Sequence, residues 1–575
     1  MRKIIKFTLC LILVVMVFSL PAWAQIYNVG GKEVAMDGFF RQEFLFNVNG
    51  SSDYKTNQTG FYGAYQMWLI DTNLTWSDKL EFRGIFRMWG DLAYYMLENN
   101  HHWERLYGGS ERNLAWDKNW DQIVRELYVT YANDKFLIRA GKQQIGWGEA
   151  DGLRLMDVIN PLDARRMFQF YDTEGYEEVR IPKLIIKTEF YPGNLWKFYD
   201  TAVEFYWNPG DIKEFGDLLP PHINAHQRPY AEWYDKYGFD PYGIGNVPWP
   251  TDIGNHWGAW APPTPSAPVP VRLFKQERAT AIENSEFGTR IKLNIWSTFI
   301  TLNYWYGFDT SDHEILESRM GGLGGGVLHL DPLGFNPITL NNPGAPVAAW
   351  FDRVWPRMKV AGFTLSRELF GVGPLFYQNA NPVLRMEGLY SFDQTFNTEE
   401  NTYVSIPGGP TIPVSLFNTV KRDQIRYMVG FDWAMQIPWN PKKSTFVSGQ
   451  FFHIYTRGNS GPNNLLQLAP YDWSWPKNQF YVTLLMKTEY MNERVCPSVL
   501  WVQDCHTRSA WVKSKFDFKI GDHWRPQIGF LWIGTNQNRS RYLPGGSPFQ
   551  VRDNYESFGL FHDRDTAWVR IQYQF

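Results

Sequence analysis

A two-residue alternation of apolar and polar side chains, repeated in short blocks along the sequence, constrains this 575-residue chain more than any other feature. Over Asp565 to Phe575, Ala567, Val569, Ile571, Tyr573 and Phe575 share one face of an extended strand, and Thr566, Trp568, Arg570, Gln572 and Gln574 share the other. One face suits lipid; the other, Trp568 apart, suits water. Beyond the first residues, no run approaches the ~20 apolar residues that a spanning helix needs. Lipid leaves every backbone polar group to be satisfied within the chain, so any later membrane crossing has to be made by strands closed into a barrel.

The blocks come in antiparallel pairs joined by tight turns. Trp68, Ile70, Thr72, Leu74 and Trp76 turn at Ser77-Asp78-Lys79 into Leu80, Phe82, Gly84, Phe86 and Met88. Leu127, Val129 and Tyr131 turn at Asn133-Asp134 into a strand expected to run from Phe136 to Gly148. Leu184 to Phe190 pairs through Pro192-Gly193-Asn194 with Thr201 to Trp207, and Ile291 to Ile295 pairs across Ser297-Thr298 with Ile300 to Tyr306. Further blocks begin at Met358, with Val360 and Gly362 on the same apolar face, and at Leu384, Ile425, Phe446, Phe480, Val512 and Ile528, and a first strand lies near Phe40, Phe44 and Phe46. Tight turns at one end and long loops at the other are the asymmetry of bacterial outer-membrane barrels, whose short turns face the periplasm. The expected fold is all-β, a transmembrane antiparallel β-barrel of about 18 strands with long extracellular loops.

That even count needs one weak strand, Val495 to Asp504, as partner for the block at Phe480. Cys496 and Cys505 would then lie up to ~30 Å apart at ~3.3 Å per residue, whereas a disulfide spans only ~4.4–6.8 Å between Cα atoms. Two free thiols are expected, against the usual pairing of cysteines in an oxidising compartment. Cys10 belongs to an N-terminal segment in which Arg2, Lys3 and Lys6 precede the apolar run Phe7 to Leu20 and then Pro21-Ala22-Trp23-Ala24. This reads as a signal peptide over residues 1–24, cleaved near Ala24, with 25–575 as the barrel and the outer membrane of a Gram-negative bacterium as its destination. An aromatic content of 17% suits girdles at the two membrane interfaces. The formal charge of −3, or −6 once the three cations of the signal peptide are subtracted, gives no reason to expect a nucleic-acid partner.

Assigning apolar faces to lipid places Arg41, Glu43, Asp71, Glu81, Arg83, Arg87, Glu126, Arg139, Lys187, Glu189, Glu204, Arg290, Lys292, Arg385, Glu387, Arg426, Asp432, Lys487, Glu489, Lys513, Lys515, Asp517 and Arg570 in the lumen. A lipid-facing Arg or Lys at the midplane would cost roughly 2–4 kcal/mol, which is why such residues collect inside. Rows of opposite charge there line a water path and shape its field; they also brace a wall as structural ion pairs, and sequence does not separate the two roles. Among the connections, 208–282 is rich in Pro and aromatic residues, a composition unlike a flexible linker and unlike a strand. It is expected to be an ordered lid or constriction, or an external loop without a gating role. Residues 313–352, with their glycine cluster, read as another external loop.

The most distinctive segment runs from Arg139 to Asp163. It begins as a strand and then breaks into Gly, Asp and Asn-Pro turn formers. Trp147, Glu149, Asp151, Arg154, Asp157, Asn160, Asp163, Arg165 and Arg166 could fold into the barrel mouth as an ionic knot or plug. A calcium site is disfavoured, because the acids lack the spacing of a dedicated loop. Adjacent His101 and His102 point to opposite sides of a strand and read as surface residues. No nucleophile elbow, zinc-protease helix or phosphate loop is present in the sequence, so no catalytic residue, metal or cofactor is expected.

Gly141 to Gln143, Trp147 to Gly152 and Asp157 to Pro161 resemble the signature of the proteobacterial outer-membrane family DUF1302, and the likeness extends from the first mature strand to the aromatic terminus. The resemblance implies a membrane barrel without fixing the transported compound. Relatives encoded beside resistance-nodulation-division type transporters and lipid-carrier-like proteins imply such a transporter system as a partner, and traffic in hydrophobic molecules. Tyr573 and Phe575 are similar to the terminal signal read by the barrel-assembly machinery. The function expected is an outer-membrane channel or conduit for lipid-like or aromatic small molecules, in contact with outer-membrane lipid. A general hydrophilic porin, an outer-membrane hydrolase and a structural barrel remain as alternatives.

Overall fold

The computed structural model describes residues 25–49, 59–92, 117, 120–151, 153–162, 176–211, 256–257, 270–275, 282–309, 315–320, 349–354, 356–373, 380–405, 411–459, 465–467, 473–474, 476–535, 541–542, 550–551 and 565–575. The segment read as a signal peptide, the His101-His102 pair, the glycine cluster at 321–326, and Asp163, Arg165 and Arg166 lie outside the described residues.

The wall begins with β1 (Lys32–Asn47), β2 (Gly60–Ser77), β3 (Leu80–Asp91), β4 (Val124–Ala132), β5 (Phe136–Gln143) and β6 (Lys183–Leu195). It continues with β7 (Phe198–Asn208), β8 (Glu286–Ile295), β9 (Thr298–Phe308), β10 (Arg357–Glu368), β11 (Val383–Ser405) and β12 (Thr411–Ile437). The last third is β13 (Asn440–Thr456), β14 (Asn478–Lys487), β15 (Val495–Asp504), β16 (Ser509–Phe518), β17 (Gln527–Thr535) and β18 (Thr566–Gln574). Each strand pairs antiparallel with the next, and β18 returns to β1 with Phe39 opposite Gln574 and Asn47 opposite Thr566, closing an 18-strand barrel. Phe575 completes the seam by exchanging backbone hydrogen bonds of 3.0 and 3.1 Å with Gly38.

The outer surface presents Ile70, Phe82, Leu127, Ile186, Phe205, Leu302, Phe363, Phe431, Phe451, Phe530 and Val569 to the surroundings. A continuous band of exposed large apolar side chains marks a lipid-facing surface. Trp568, the apparent exception on the polar face of the last strand, is buried inside, its indole N–H donating to Gln527 Oε1 at 2.7 Å. The weak strand at Val495–Asp504 forms as β15, paired to both β14 and β16. Cys496 on it and Cys505 just past it are free thiols.

Three expectations need correction. The strand that was to reach Gly148 stops at Gln143, because the following chain leaves the wall for the lumen. The 208–282 connection contains strand: His256–Trp257 and Pro270–Lys275 join Ile315–Met320 and Ala349–Val354 from the next connection in a separate four-stranded sheet. Its Val271, Leu273 and Phe274 are good strand formers, and a proline is tolerated at a strand's first residue. On β10, Met358 and Val360 face inward rather than toward lipid, because the lumen at that level holds an apolar core.

Candidate functional site: an inward-folded plug

Gly141 adopts φ +137°, and a Cβ there would come within 2.3 Å of the Leu127 carbonyl oxygen, so only glycine fits. Beyond Gln143 the chain turns into the barrel. Ile145, Trp147, Met156, Val158 and Ile159 pack against inward-facing Ile185 on β6, Tyr206 on β7, Trp305 on β9, Met358 and Val360 on β10 and Leu389 on β11. The Trp147 ring meets Tyr206 edge-on at 5.7 Å. Gly288 on β8 leaves the space, since a Cβ there would lie 2.5 Å from the Tyr206 ring and 2.7 Å from that of Trp147. Burying side chains of this size stabilises the docked segment by about 1.5–3 kcal/mol each.

Polar ties fix the same segment to the wall. The buried carboxylate of Glu387 on β11 accepts backbone N–H groups from Glu149, from Ala150 at 2.7 Å and from Met156 at 3.2 Å. Arg385 on the same strand donates to the Glu149 carbonyl and to Asp151, and pairs with Asp432 on β12 at 2.7 Å. Gln450 on β13 bonds Asp151 twice, accepting from its N–H at 3.0 Å and donating to its carboxylate at 2.9 Å. Trp147 donates its indole N–H to Glu204 Oε1 at 2.7 Å. Within the segment, Asn160 accepts the Ile145 N–H at 2.9 Å and donates to the Ile181 carbonyl at 2.8 Å. Asp157 pairs with Arg154 at 3.2 Å and with Arg180 at 2.8 Å.

The chain returns through the helical turn Tyr176–Val179. Glu178 pairs with Arg41 on β1 at 3.0 Å, and its carbonyl accepts from Arg87 on β3 at 2.6 Å and Arg125 on β4 at 3.0 Å. The two limbs meet where Ile181 donates to the Pro161 carbonyl at 2.7 Å. Among the described residues, the first limb, 144–162, is thus held by side chains of β10, β11 and β13, and the returning limb, 176–182, by side chains of β1, β3 and β4; the two limbs together are the candidate plug.

Other wall residues named from sequence pair mostly with their neighbours along or across the wall. Glu81 bonds Asn73; Arg83 pairs with Asp71 at 2.6 Å; Glu126 accepts from Gln144 at 2.9 Å; Arg139 donates to Thr130 at 3.1 Å. Lys187 pairs with Glu189 at 2.7 Å, Lys292 with Glu204 at 2.8 Å, and Lys515 with Asp517 at 3.3 Å. Arg570 pairs with Glu43, Arg426 bonds Gln424 and Gln394, Lys513 is buried on β16, and Arg290 is buried on β8. Lys487 is the last residue of β14, and Glu489 falls in the turn after it rather than on the wall, a correction that follows from the strand's early end.

Sequence reasoning missed Glu178, Arg180, Gln450 and Arg125. Strict alternation sends Arg125 to lipid, since its neighbour Glu126 faces inward; a register shift opposite, between Ile85 and Phe86, turns Arg125 inward as well.

The motif residues from Gly141 to Asn160 are thus those that end the strand, seat the plug and tie it down. The family model described as "Protein of unknown function (DUF1302)" matches residues 7–575. The chain belongs to this family. No curated protein matches it. Similar solved structures include OpdK of Pseudomonas aeruginosa with vanillate, at 6% identity and TM-score 0.40, covering 94% of this chain and 98% of that one. Acinetobacter baumannii OccAB3 gives 8% identity and TM-score 0.39, covering 94% and 99%. An anion-selective porin from Comamonas acidovorans gives 6% and 0.34, covering 95% and 100%.

Proposed function

We propose that this barrel is an outer-membrane conduit for small apolar or aromatic molecules, with the plug as the element a solute must pass. The observation that carries the reading is the inner wall behind the plug. Tyr206, Trp305, Met358, Val360 and Leu389 face the lumen where a water-filled pore would show polar groups. A solute that displaces the docked segment at this level would slide along aromatic and aliphatic side chains. The charged residues nearer the tight-turn end, among them Asp71, Arg83 and Asp432, favour a second reading as a hydrophilic porin. In the cell, Tyr573 and Phe575 would be read by the assembly machinery and a resistance-nodulation-division type transporter would share the pathway.

Proteoliposomes separate the readings. The conduit predicts faster entry of a hydrophobic fluorescent probe with little swelling in sugars. Free swelling in sugars without probe entry would establish the porin, and hydrolysis of a chromogenic ester would establish an enzyme.

A further inference from the structure

Arg290 and Asn303 sit opposite one another on β8 and β9, one inward-facing position toward the tight-turn end from Gly288 and the Trp147 ring. Arg290 is 9% exposed, yet among the described residues it has no hydrogen-bond or ion-pair partner, and its Nε is buried without an acceptor. Asn303 donates its amide N–H to Thr301 at 3.0 Å, and Thr301 is held by Thr364 at 2.9 Å, so the free end of the amide is Oδ1, also buried and unpartnered. A buried guanidinium and a buried carbonyl left open side by side are costly unless something completes them.

The surrounding charges select what completes them. Glu204, Glu149, Glu189 and Glu387 act on Arg290 through space, and each is already engaged. Glu204 holds Trp147 and Lys292; Glu149 takes the Thr364 hydroxyl; Glu189 takes Lys187, Lys292 and Tyr191; Glu387 takes the plug backbone. The four carboxylates outnumber the two lysines that pair with them, Lys187 and Lys292, so an anion arriving at Arg290 would meet a net negative surround, whereas an uncharged group would not be repelled by it. We infer that Arg290 and Asn303 bind the uncharged polar head of a small apolar or aromatic molecule, one with a carbonyl acceptor beside an N–H or O–H donor. The guanidinium N–H groups donate to the ligand carbonyl and Asn303 Oδ1 accepts its proton donor. This names the substrate class of the conduit and rests on that reading only for the ligand's route.

Equilibrium dialysis of the detergent-solubilised full chain tests it with benzamide and benzoate as probes. Benzamide should bind more tightly than benzoate, and Arg290→Met and Asn303→Leu should each weaken benzamide by about tenfold. Heat-modifiable gel migration shows which variants are folded, and the comparison of the two probes on the wild type needs no variant. Absent benzamide binding, tighter benzoate binding, or folded variants that bind benzamide unchanged would overturn the site. Binding without vesicle transport would count against the conduit and leave the site standing; transport without Arg290-dependent binding would remove the site alone.

Discussion

The indole N–H of Trp147 donates to Glu204, a carboxylate that also pairs with Lys292 at 2.8 Å, so one wall residue links the plug to the charged lumen beneath it. Trp147 is also fully buried against Tyr206. Trp147→Ala removes both contacts and should destabilise the docked plug by about 3–5 kcal/mol. In planar bilayers the variant should show larger and noisier conductance than the wild type. Trp147→Phe keeps most of the packing and loses the hydrogen bond, and should fall between. Identical single-channel traces for all three would mean that the plug does not limit flow.

Glu387 receives three backbone N–H groups of the plug while only 1% exposed. Glu387→Ala leaves those donors buried without an acceptor, at about 1–3 kcal/mol each. The plug should then leave the wall for part of the time and expose the bond after Arg154, which pairs with Asp157 in the docked state. Limited trypsin digestion of the folded barrel should cut the variant there and spare the wild type. Glu387→Gln keeps one acceptor oxygen and should be cut more slowly than the alanine variant.

Arg83 and Arg87 lie on the same face of β3 and do different work. The Arg83 side chain is 40% exposed beside Asp71, whereas Arg87 is 4% exposed and bonded to the Glu178 carbonyl of the plug. Arg83→Ala should shift cation-to-anion selectivity, measured as a reversal potential across a salt gradient. Arg87→Ala should leave selectivity near its wild-type value and raise conductance noise by freeing the returning limb. The opposite assignment of effects would place Arg87, not Arg83, on the ion path.

The barrel was legible because lipid enforces a strict two-residue period, and even the faint strand Val495–Asp504 followed from the parity of the turns. The plug was legible only as a motif. Its acids and arginines signalled a knot, but the partners that seat it come from strands far away in sequence, as Gln450 and Glu178 show. Alternation alone puts Met358 and Val360 on the lipid face, because it cannot distinguish lipid from an apolar core inside the barrel. Arg125 was hidden by a bulge, which leaves no sequence mark.

Cys505 offers a test of sidedness. It is exposed in the connection between β15 and β16, at the end of the barrel opposite the tight turns, whereas Cys496 is buried near the other end. A membrane-impermeant maleimide should therefore label intact cells at Cys505, and Cys505→Ser should abolish the signal. Partial burial, and to a lesser degree the negative charge of Asp504, pushes the Cys505 thiol above its ordinary value. The thiolate is the reactive form, so labelling should be slower than for a free cysteine at neutral pH and should climb as pH rises through and beyond the usual thiol range. Labelling that appears only after the outer membrane is permeabilised would invert the barrel, placing the tight turns outside the cell.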